Sequence, residues 1–307
     1  RREIRWHRRS LMAHASVLLQ ETIKVLAPQE GDVVLDGTVG NGGHAEAIIP
    51  LIGKKGTYIG LDADAHSIER ASKKLSGASS KVILRKENFR NLDAVLREEG
   101  ISSIDRILLD LGLNSDQLEV SGRGFSFLRD EPLIMTYDDL PLGVKTARDI
   151  VNQLNEKELA DLIFNFGEER LSRRIAFAIV QVREKKPIER SRELAALIEA
   201  CVPSFYRHGR IHPATRTFQA LRIVVNDEMG ALEEGLHKGF EALSSGGVMA
   251  VISFHSLEDR MVKNFFRDLE KGGKGEVLVK KPIVSGEEEQ SENPRSRSAK
   301  LRSFKKI

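Results

Sequence analysis

Val33-Val34-Leu35-Asp36-Gly37-Thr38-Val39-Gly40-Asn41-Gly42-Gly43-His44 is the stretch around which the chain is organised. Three apolar residues lead into a carboxylate, and four glycines follow between residues 37 and 43. The next residues, 45–49, have helical character, so the stretch predicts a strand, a tight turn and the start of a helix. Glycine allows a close approach of backbone to a ligand, and the N–H groups of a helix start attract electron-rich groups. An ordinary glycine-rich connection is the alternative interpretation.

The residues after this stretch alternate between predicted strands and helices. Buried strands are predicted at Thr57–Asp62, Lys81–Leu84 and Ile104–Gly112, with helices between them. Alternation at this spacing is typical of βαβ units, so we predict an α/β fold with a parallel, doubly wound sheet.

Asp62 ends the second predicted strand, 22 residues beyond Gly40. Ligands of such sheets bind beyond the carboxyl ends of the strands, where an acid can accept both hydroxyl protons of a ribose. We predict this role for Asp62. The alternative is that Asp62 caps the following helix, a position for which Asp64 competes.

Two nucleotide cofactors fit the loop itself. Residues 40–45 satisfy the G-x-G-x-x-A form of the dinucleotide fingerprint, which keeps NAD open. Asp36 precedes the glycines, where a carboxylate suits a cationic sulfonium or amino group better than a pyrophosphate, and this favours S-adenosylmethionine. Phe89 follows the third strand and either packs against an adenine or belongs to the core.

Composition narrows the class of protein. The chain has 307 residues, 40% of them hydrophobic, which is enough for about two domains. No apolar run approaches the roughly 20 residues of a membrane span, and no apolar segment follows the basic residues 1–9, so we expect a soluble, cytoplasmic protein. The single cysteine, Cys201, is expected in the core, and no group of side chains has convincing metal-ligand spacing, so we predict no metal.

Positive charge is uneven along the chain. The net charge is only +3, but basic residues crowd residues 1–9 and 295–306. Such ends can neutralise phosphates, which makes nucleic acid a candidate partner, although basic segments are also often merely solvated.

The middle of the chain is predicted to be helical. A capping box at Asn155 and Glu158 opens the first of three amphipathic helices, and Ser191 is expected to cap the third. We therefore predict a helical insertion, residues 118–211, within a discontinuous domain of residues 1–117 and 212–307. Arginines and lysines between the apolar positions of this insertion are candidates for holding an RNA backbone, or form an ordinary solvated surface.

The last third returns to the sheet. Pro213 suits the first turn of one long helix running to Leu236, with His212, Thr215 and Arg216 at its start. A fifth strand is predicted at 248–254 with His255 at its end. Final strands are predicted at 276–280 and 300–306, with the acidic residues 287–289 in the loop between them.

Several long motifs resemble one family in the same order along nearly the whole chain. They are His14-Ala15-Ser16-Val17-Leu18-Leu19, Gly42-Gly43-His44, Asn88-Phe89-Arg90, Asp110-Leu111-Gly112 with Gln117, Arg123-Gly124-Phe125-Ser126, residues 212–222 (HPATRTFQALR), residues 252–260 (ISFHSLEDR) and residues 293–298 (NPRSRS). The chain resembles the RsmH (MraW) family.

The resemblance implies a Rossmann-like, S-adenosylmethionine-dependent methyltransferase sheet with an inserted α-helical domain. It implies methylation of N4 of a cytidine in the decoding region of 16S (small-subunit) ribosomal RNA, in an assembling 30S particle. The family pattern carries S-adenosyl-L-methionine binding onto Gly42, Gly43, His44, Asp62, Phe89, Asp110 and Gln117.

The chain departs from the family pattern in two places. Residues 114–118 (NSDQL) lack one serine and a proline, and in residues 132–138 (PLIMTYD) an acid and an arginine of the pattern are replaced by Ile134 and Thr136. A non-catalytic or altered-specificity RNA-binding protein of ribosome assembly therefore stays open as an alternative. A methyltransferase acting on DNA or protein and a nicotinamide dehydrogenase are further alternatives.

Catalysis at an exocyclic amine needs alignment and an acceptor for a proton. Asp110, at the end of the fourth strand, is the candidate for polarising that amine. His212, Thr215, Arg216 and His255 are candidates for contact with the substrate.

Overall fold

The computed structural model describes residues 16–119, 121–138 and 143–307. The basic residues 1–9 and the first two residues of the motif that begins at His14 lie outside this part of the chain. The chain divides into two compact units. The sheet unit comprises the residues up to Gly112 and those from Gly235 to Ile307, and the helical unit comprises Leu113–Glu234.

The strands of the described chain form one sheet in the sheet unit. They are β1 (Val33–Asp36), β2 (Thr57–Asp62), β3 (Lys81–Lys86), β4 (Ile104–Asp110), β5 (Leu243–Ser253), β6 (Gly275–Val277) and β7 (Lys300–Lys306). Their order is β3-β2-β1-β4-β5-β7-β6; the first five are parallel, and β7 runs antiparallel to both neighbours. The predicted α/β, Rossmann-like class is confirmed.

The described helices, in chain order, are α1 (Leu19–Leu26), α2 (Gly43–Ile52), α3 (Ala65–Lys74), α4 (Leu92–Glu98), α5 (Ser115–Glu119), α6 (Ala147–Gln153), α7 (Glu156–Gly167), α8 (Ser172–Arg183), α9 (Ser191–Cys201), α10 (Ser204–Arg207), α11 (Thr215–Val225), α12 (Glu228–Ala242), α13 (Ser256–Lys271) and α14 (Glu287–Glu292). Short 3-10 turns occupy Phe89–Asn91 and Pro294–Ser298. None of the described helices has the length and apolar character needed to cross a membrane.

The central strands of the sheet are buried along most of their length, which leaves their carboxyl ends as the candidate functional edge. Val34 and Leu35 of β1 and Ile107 and Leu108 of β4 are fully inaccessible to solvent. Strands covered on both faces tolerate polar side chains only where they end. The strand order also reverses between β1 and β4, and the carboxyl ends around such a switch point are where open α/β sheets bind ligands.

The prediction of a single long helix from Pro213 is wrong. The segment forms two helices, α11 and α12, which are separated at Asn226 and Asp227. Asp227 has a φ of +47°, and the Asn226 side chain donates to the backbone oxygen of Met135 at 2.8 Å. The apolar spacing continues through the break, which is why the sequence pattern does not show it.

Three smaller sequence predictions also need correction. Ser191 is the first residue of α9, not its cap, because its hydroxyl donates to the Arg129 carbonyl and accepts the N–H of Glu131. Strand β5 begins at Leu243, five residues before the predicted start. Strand β6 is shorter than predicted, and the acidic residues 287–289 begin helix α14 where a loop was expected.

The helical unit has its own apolar core, built mainly by α6 to α9 and α11. Residues 212–234, which the sequence assigns to the methyltransferase domain, belong to this unit. The reason is packing: Ala214, Phe218 and Leu221 lie in the same core as Ile163 and Ile175. The unit is therefore wider at both ends than the predicted insertion, 118–211, and the separate function of each domain stays a prediction.

The close packing of α7 on α11 can be tested at Gly167. A Cβ there would lie 2.5 Å from the carbonyl oxygen of Arg216, a backbone atom that cannot move without shifting α11. We expect Gly167→Ala to lower the free energy of unfolding by about 1–3 kcal/mol, as overpacking does. Urea unfolding monitored by hydrogen exchange in α7 and α11 measures this. Gly77→Ala is the matched control, because a Cβ at Gly77 meets nothing within 4 Å, and an equal effect of both changes would contradict the packing argument.

Candidate functional site

Asp36 ends β1 inside the protein, with its side chain 1% exposed. Its Oδ2 accepts the hydroxyl of Tyr58 at 2.7 Å, and its Oδ1 accepts the backbone N–H of Thr38 at 3.0 Å. Burial raises the pKa of Asp36 against these donors, and the pKa of Tyr58 lies well above its usual value because the phenol is buried beside that carboxyl. With both oxygens engaged by the protein, Asp36 anchors the start of the loop. The sequence placed it against the cationic part of the cofactor.

The glycine loop continues from this anchor toward β2. Gly40 has a φ of +52° and donates its N–H to Asp62 Oδ2 at 2.9 Å. A Cβ on Gly43 would lie 2.1 Å from Ser16 Oγ. Glycine is thus favoured at Gly40 by its backbone conformation, while a Cβ at Gly43 would require the Ser16 hydroxyl to rotate away. The loop runs close to its neighbours: Gly37, Val39 and Gly42 are buried, and their N–H groups donate to the carbonyls of Leu108, Leu61 and Val39.

His44 lies in the first turn of α2 and faces Asp110 at the end of β4. Its Nε2 is 3.4 Å from Asp110 Oδ2, and its side chain is only 6% exposed. Burial lowers the pKa of His44, but the Asp110 and Asp36 carboxylates outweigh burial and raise the pKa above its ordinary value. The imidazole is therefore held beside two acids, in surroundings that favour its protonated form.

Three buried polar atoms of this pair are unsatisfied. Within the described part of the chain, His44 Nδ1, His44 Nε2 and Asp110 Oδ1 have no hydrogen-bond partner, although Nε2 lies 3.4 Å from Asp110 Oδ2. Unsatisfied buried polar atoms are costly, and they are found where a ligand completes the hydrogen bonding. The pair therefore fits a polar group of a bound molecule.

Asp62 and Asp64 are the two residues that the sequence offers as the cap of α3. Asp64 caps α3, since its Oδ1 accepts the N–H of His66 at 3.1 Å. Asp62 accepts the N–H groups of Gly40 and Asp64 and is not the cap. Burial raises the pKa of Asp62 to about 7, against the lowering effect of those two donors. Each carboxylate oxygen can accept a further hydrogen bond, so ribose binding by Asp62 is compatible with these contacts and stays a prediction.

Phe89 follows β3 and opens the 3-10 turn at residues 89–91. A Cβ on Gly37 would lie 2.8 Å from the Cβ of Phe89, and one on Gly235 would lie 2.5 Å from its ring. Two glycines thus make room for this half-buried aromatic ring. The ring lies beside the start of the glycine loop, and its contact with an adenine stays a prediction.

Gln117 belongs to the helical unit. It is 6% exposed, its N–H donates to Asn114 Oδ1 at 2.8 Å, and its Oε1 accepts the N–H of Asn114 at 3.0 Å. This reciprocal pair fixes the start of α5. A role of Gln117 at the cofactor stays a prediction from the family pattern.

The four candidate substrate residues are divided between the two units. In the helical unit, the ring of His212 stacks on Phe127 with centroids 4.4 Å apart, Thr215 begins α11, and Arg216 donates to the carbonyl of Glu168 at 3.2 Å. In the sheet unit, His255 caps α13 in a capping box with Glu258. His255 and Arg216 thus have structural contacts, and substrate binding by all four residues stays a prediction.

Sequence reasoning missed two contributors to the edge. In the sequence, Tyr58 resembles the other core residues of β2, yet its hydroxyl donates a hydrogen bond to Asp36. Thr38 Oγ1 accepts the backbone N–H of Asp110 at 2.6 Å and so ties the loop to β4. A tyrosine amid aliphatic residues of a central strand is the only signal of the first contact; the second has none in the sequence.

Comparison with known proteins places the chain among methylases. The family model described as the MraW methylase family matches residues 11–307. A protein of Heliobacterium modesticaldum named "Ribosomal RNA small subunit methyltransferase H" is 45% identical, over 96% of this chain and 98% of its own. A protein of Persephonella marina with the same name is 44% identical, over 97% of this chain and all of its own.

The raised pKa of Asp62 predicts a pH dependence of cofactor binding. Ribose hydroxyls would donate to the ionised carboxylate, so protonation of Asp62 competes with binding. With a pKa of about 7, affinity should fall about tenfold between about pH 8 and about pH 6. Isothermal titration with S-adenosylmethionine measures it.

Asp62→Asn is the control for this titration, because His44 also titrates at the site. The variant should bind more weakly at about pH 8 and lose the share of the pH dependence that belongs to Asp62. Identical pH profiles of cofactor binding for the wild type and the variant would contradict ribose binding by Asp62.

Proposed function

The chain belongs to the MraW methylase family and is an S-adenosylmethionine-dependent methyltransferase, and from this premise we propose that it methylates N4 of a cytidine in the decoding region of small-subunit ribosomal RNA. The observation that carries the RNA substrate is the near full-length similarity to proteins named for small-subunit ribosomal RNA methylation. Family membership also removes the nicotinamide dehydrogenase that the loop alone left open. The cytidine, its N4 atom and the assembling 30S particle rest on the family resemblance of the motifs. Ribosome assembly would place the protein in the cytoplasm.

The edge of the sheet unit fits the cofactor. The buried, unsatisfied atoms of His44 and Asp110 offer hydrogen bonds to a polar ligand, beside a glycine loop that packs closely on its neighbours. The residues that would hold it are Gly42, Gly43, His44, Asp62, Phe89, Asp110 and, by the family resemblance, Gln117. When bound, S-adenosylmethionine supplies an electrophilic methyl group on a sulfonium.

Asp110 is the residue we assign to the acceptor amine. The lone pair of cytosine N4 is delocalised into the ring, so attack needs an acceptor for an amine proton as the nitrogen becomes tetrahedral. Asp110 Oδ1 is buried without a hydrogen-bond partner among the described residues, and Oδ2 lies 3.4 Å from His44. A protonated His44 at that distance stabilises the carboxylate, which keeps Asp110 able to accept a proton.

We expect Asp110→Asn to lower kcat at saturating cofactor by about a hundredfold, the lower end of what a positioned base contributes. Asp64→Asn is the matched control: it also turns an acid beside the loop into an amide, but asparagine still caps α3. Single-turnover methylation, with cofactor affinity measured separately, distinguishes chemistry from binding. An Asp110→Asn variant that binds cofactor weakly but turns over normally at saturation would make Asp110 a cofactor ligand only.

The helical unit is the proposed RNA-recognition domain. Exposed arginines and lysines occur between its apolar positions, among them Arg170, Arg174 and Arg192. Enzymes that modify a base need it unpaired or flipped out of its stack, and single-stranded segments of RNA present bases most readily. We therefore propose a target cytidine that is presented by a partly assembled small subunit.

The substrate can be tested with tritium-labelled S-adenosylmethionine and small-subunit particles that lack the modification. We expect label in the ribosomal RNA and, after digestion to nucleosides, in N4-methylcytidine. Label in another nucleoside would contradict the proposed acceptor atom. Equal labelling of a double-stranded DNA control would contradict the proposed RNA substrate.

One observation keeps a second function open. The family pattern has an acid and an arginine where this chain has Ile134 and Thr136, and Thr136 is 3% exposed with its hydroxyl donating to the Asp138 carbonyl at 2.7 Å. A protein of this fold that binds ribosomal RNA with altered specificity, or without methylating it, would show RNA binding but no label transfer in the same experiment.

A further inference from the structure

The segment around helix α10 combines an outward aromatic ring with several positively charged side chains. Phe205 is 79% exposed, the highest exposure among the large apolar side chains of the described residues. Arg207, His208 and Arg210 beside it are exposed as well. From Ala200 to Asn226 the chain contains no aspartate or glutamate. A single exposed apolar side chain is common on protein surfaces, so the ring is informative only together with the charges around it.

The segment is fixed in place by its neighbours. Tyr206, next to Phe205, donates its hydroxyl to Glu169 Oε2 at 2.6 Å, and Glu169 is fully buried. Arg174 donates to the carbonyl of Cys201, just before the segment. Because Tyr206 is tied inward, Phe205 is held outward by the backbone between them, and ordering it costs little entropy on binding.

The same contacts add charge to this surface. Glu169 lies between α7 and α8, so its bond to Tyr206 brings Arg170 and Arg174 to the segment. Two acids lie at this junction: Glu168 is half-buried, and Glu169 is buried, with its oxygens accepting the Tyr206 hydroxyl and the N–H of Leu171 at 2.8 Å. Glu169 therefore presents no carboxylate to solvent there. We use the name Phe205 surface for a set of six side chains: Phe205, Arg207, His208, Arg210, Arg170 and Arg174.

We propose that the Phe205 surface binds single-stranded RNA, with an unpaired base stacked on Phe205 and neighbouring phosphates held by the arginines. A phenylalanine ring offers a stacking face and no hydrogen bonds, so it accepts any base. The bases of a duplex are stacked on each other, so a duplex offers no free face to the ring. A single ring among cations suits a nucleic acid better than an apolar protein partner, whose interface would have a wider apolar centre. The inference rests on the proposed function only in taking RNA as the substrate.

The test measures binding of a short fluorescein-labelled oligouridine by fluorescence anisotropy, with the full chain. We expect Phe205→Ala to weaken binding about tenfold, Phe205→Trp to keep or strengthen it, and a duplex RNA of the same length to be insensitive to both changes. Arg210→Ala should weaken binding and reduce its salt dependence by about one ion.

Phe164→Ala and Lys157→Ala are the matched controls. Phe164 of α7 is also exposed, at 56%, but lies one turn from Asp161, and Lys157 pairs with that acid at 2.6 Å. Both controls should leave oligouridine binding unchanged. Thermal unfolding checks that each variant is folded. The substituted side chains are exposed, so we expect the variants to fold.

The outcomes separate this surface from the proposed function. If Phe205→Ala binds oligouridine like the wild type, or if Phe164→Ala loses as much, the Phe205 surface is not an RNA site, even where the wild type methylates ribosomal RNA. If Phe205→Ala alone loses binding while the wild type transfers no methyl group to small-subunit particles, the surface stands and the proposed acceptor fails. Loss of duplex binding equal to loss of oligouridine binding would also overturn the stacking role.

Discussion

The buried carboxylate of Asp36 is the constraint on which the functional edge depends. A carboxyl group at the end of a central strand, 1% exposed, would be strongly unfavourable without donors. The donors come from two directions: the Tyr58 hydroxyl from β2 and the Thr38 N–H from the loop itself. Satisfying this one group therefore fixes the first turn of the glycine loop against both β1 and β2.

The rest of the loop is also held by hydrogen bonds to strand ends along the sheet edge. Gly40 donates to Asp62 at the end of β2, while Thr38 Oγ1 accepts the N–H of Asp110 at the end of β4. Parallel pairing of β1 with both strands brings these ends together. One short loop is thus bonded to the ends of three strands. The atoms left over, chiefly of His44 and Asp110, are those with unsatisfied capacity for a ligand.

The sequence predicted elements whose signals are local. Strands β2 and β4, the helix after the loop, and the capping box at Asn155 follow from runs, spacing and neighbours a few residues apart, and the structure confirms them. The proximity of His44 to Asp110 was not predicted; the family pattern only assigns both residues to the cofactor. The bond of Tyr58 to Asp36 joins residues 22 apart and leaves no periodic trace, because tyrosine fits a buried strand equally well as a hydrophobic residue.

The boundary between the two units was harder to predict, because it depends on which core each helix packs against. The apolar stripe of the segment after Pro213 serves two cores, that of the helical unit through α11 and that of the sheet unit through the later part of α12. A stripe of constant spacing shows that a helix is buried but not against what. The break at Asp227 is accompanied by a local ion pair of Arg222 with Glu228 at 2.7 Å and by a tertiary contact, the bond of Asn226 to the Met135 carbonyl. The tertiary contact joins residues 91 apart and is invisible to a window of sequence.

Contacts of the same kind bear on one of the two departures from the family pattern, the replacements at Ile134 and Thr136. Around Ile134 and Thr136 the backbone is held by main-chain bonds: the N–H groups of Ile134 and Met135 both donate to the carbonyl of Arg123, and the Ile134 carbonyl accepts the N–H of Ala147. Leu133 and Met135, on either side of Ile134, are fully buried in the core of the helical unit. None of these bonds involves the side chain of residue 134 or 136. The path of this segment is therefore set by its backbone and its alternating buried residues, and the departures remove charged groups from a fixed scaffold. Their effect should fall on what the segment contacts in a substrate, while the fold and the cofactor edge of the sheet unit keep their own, separate supports.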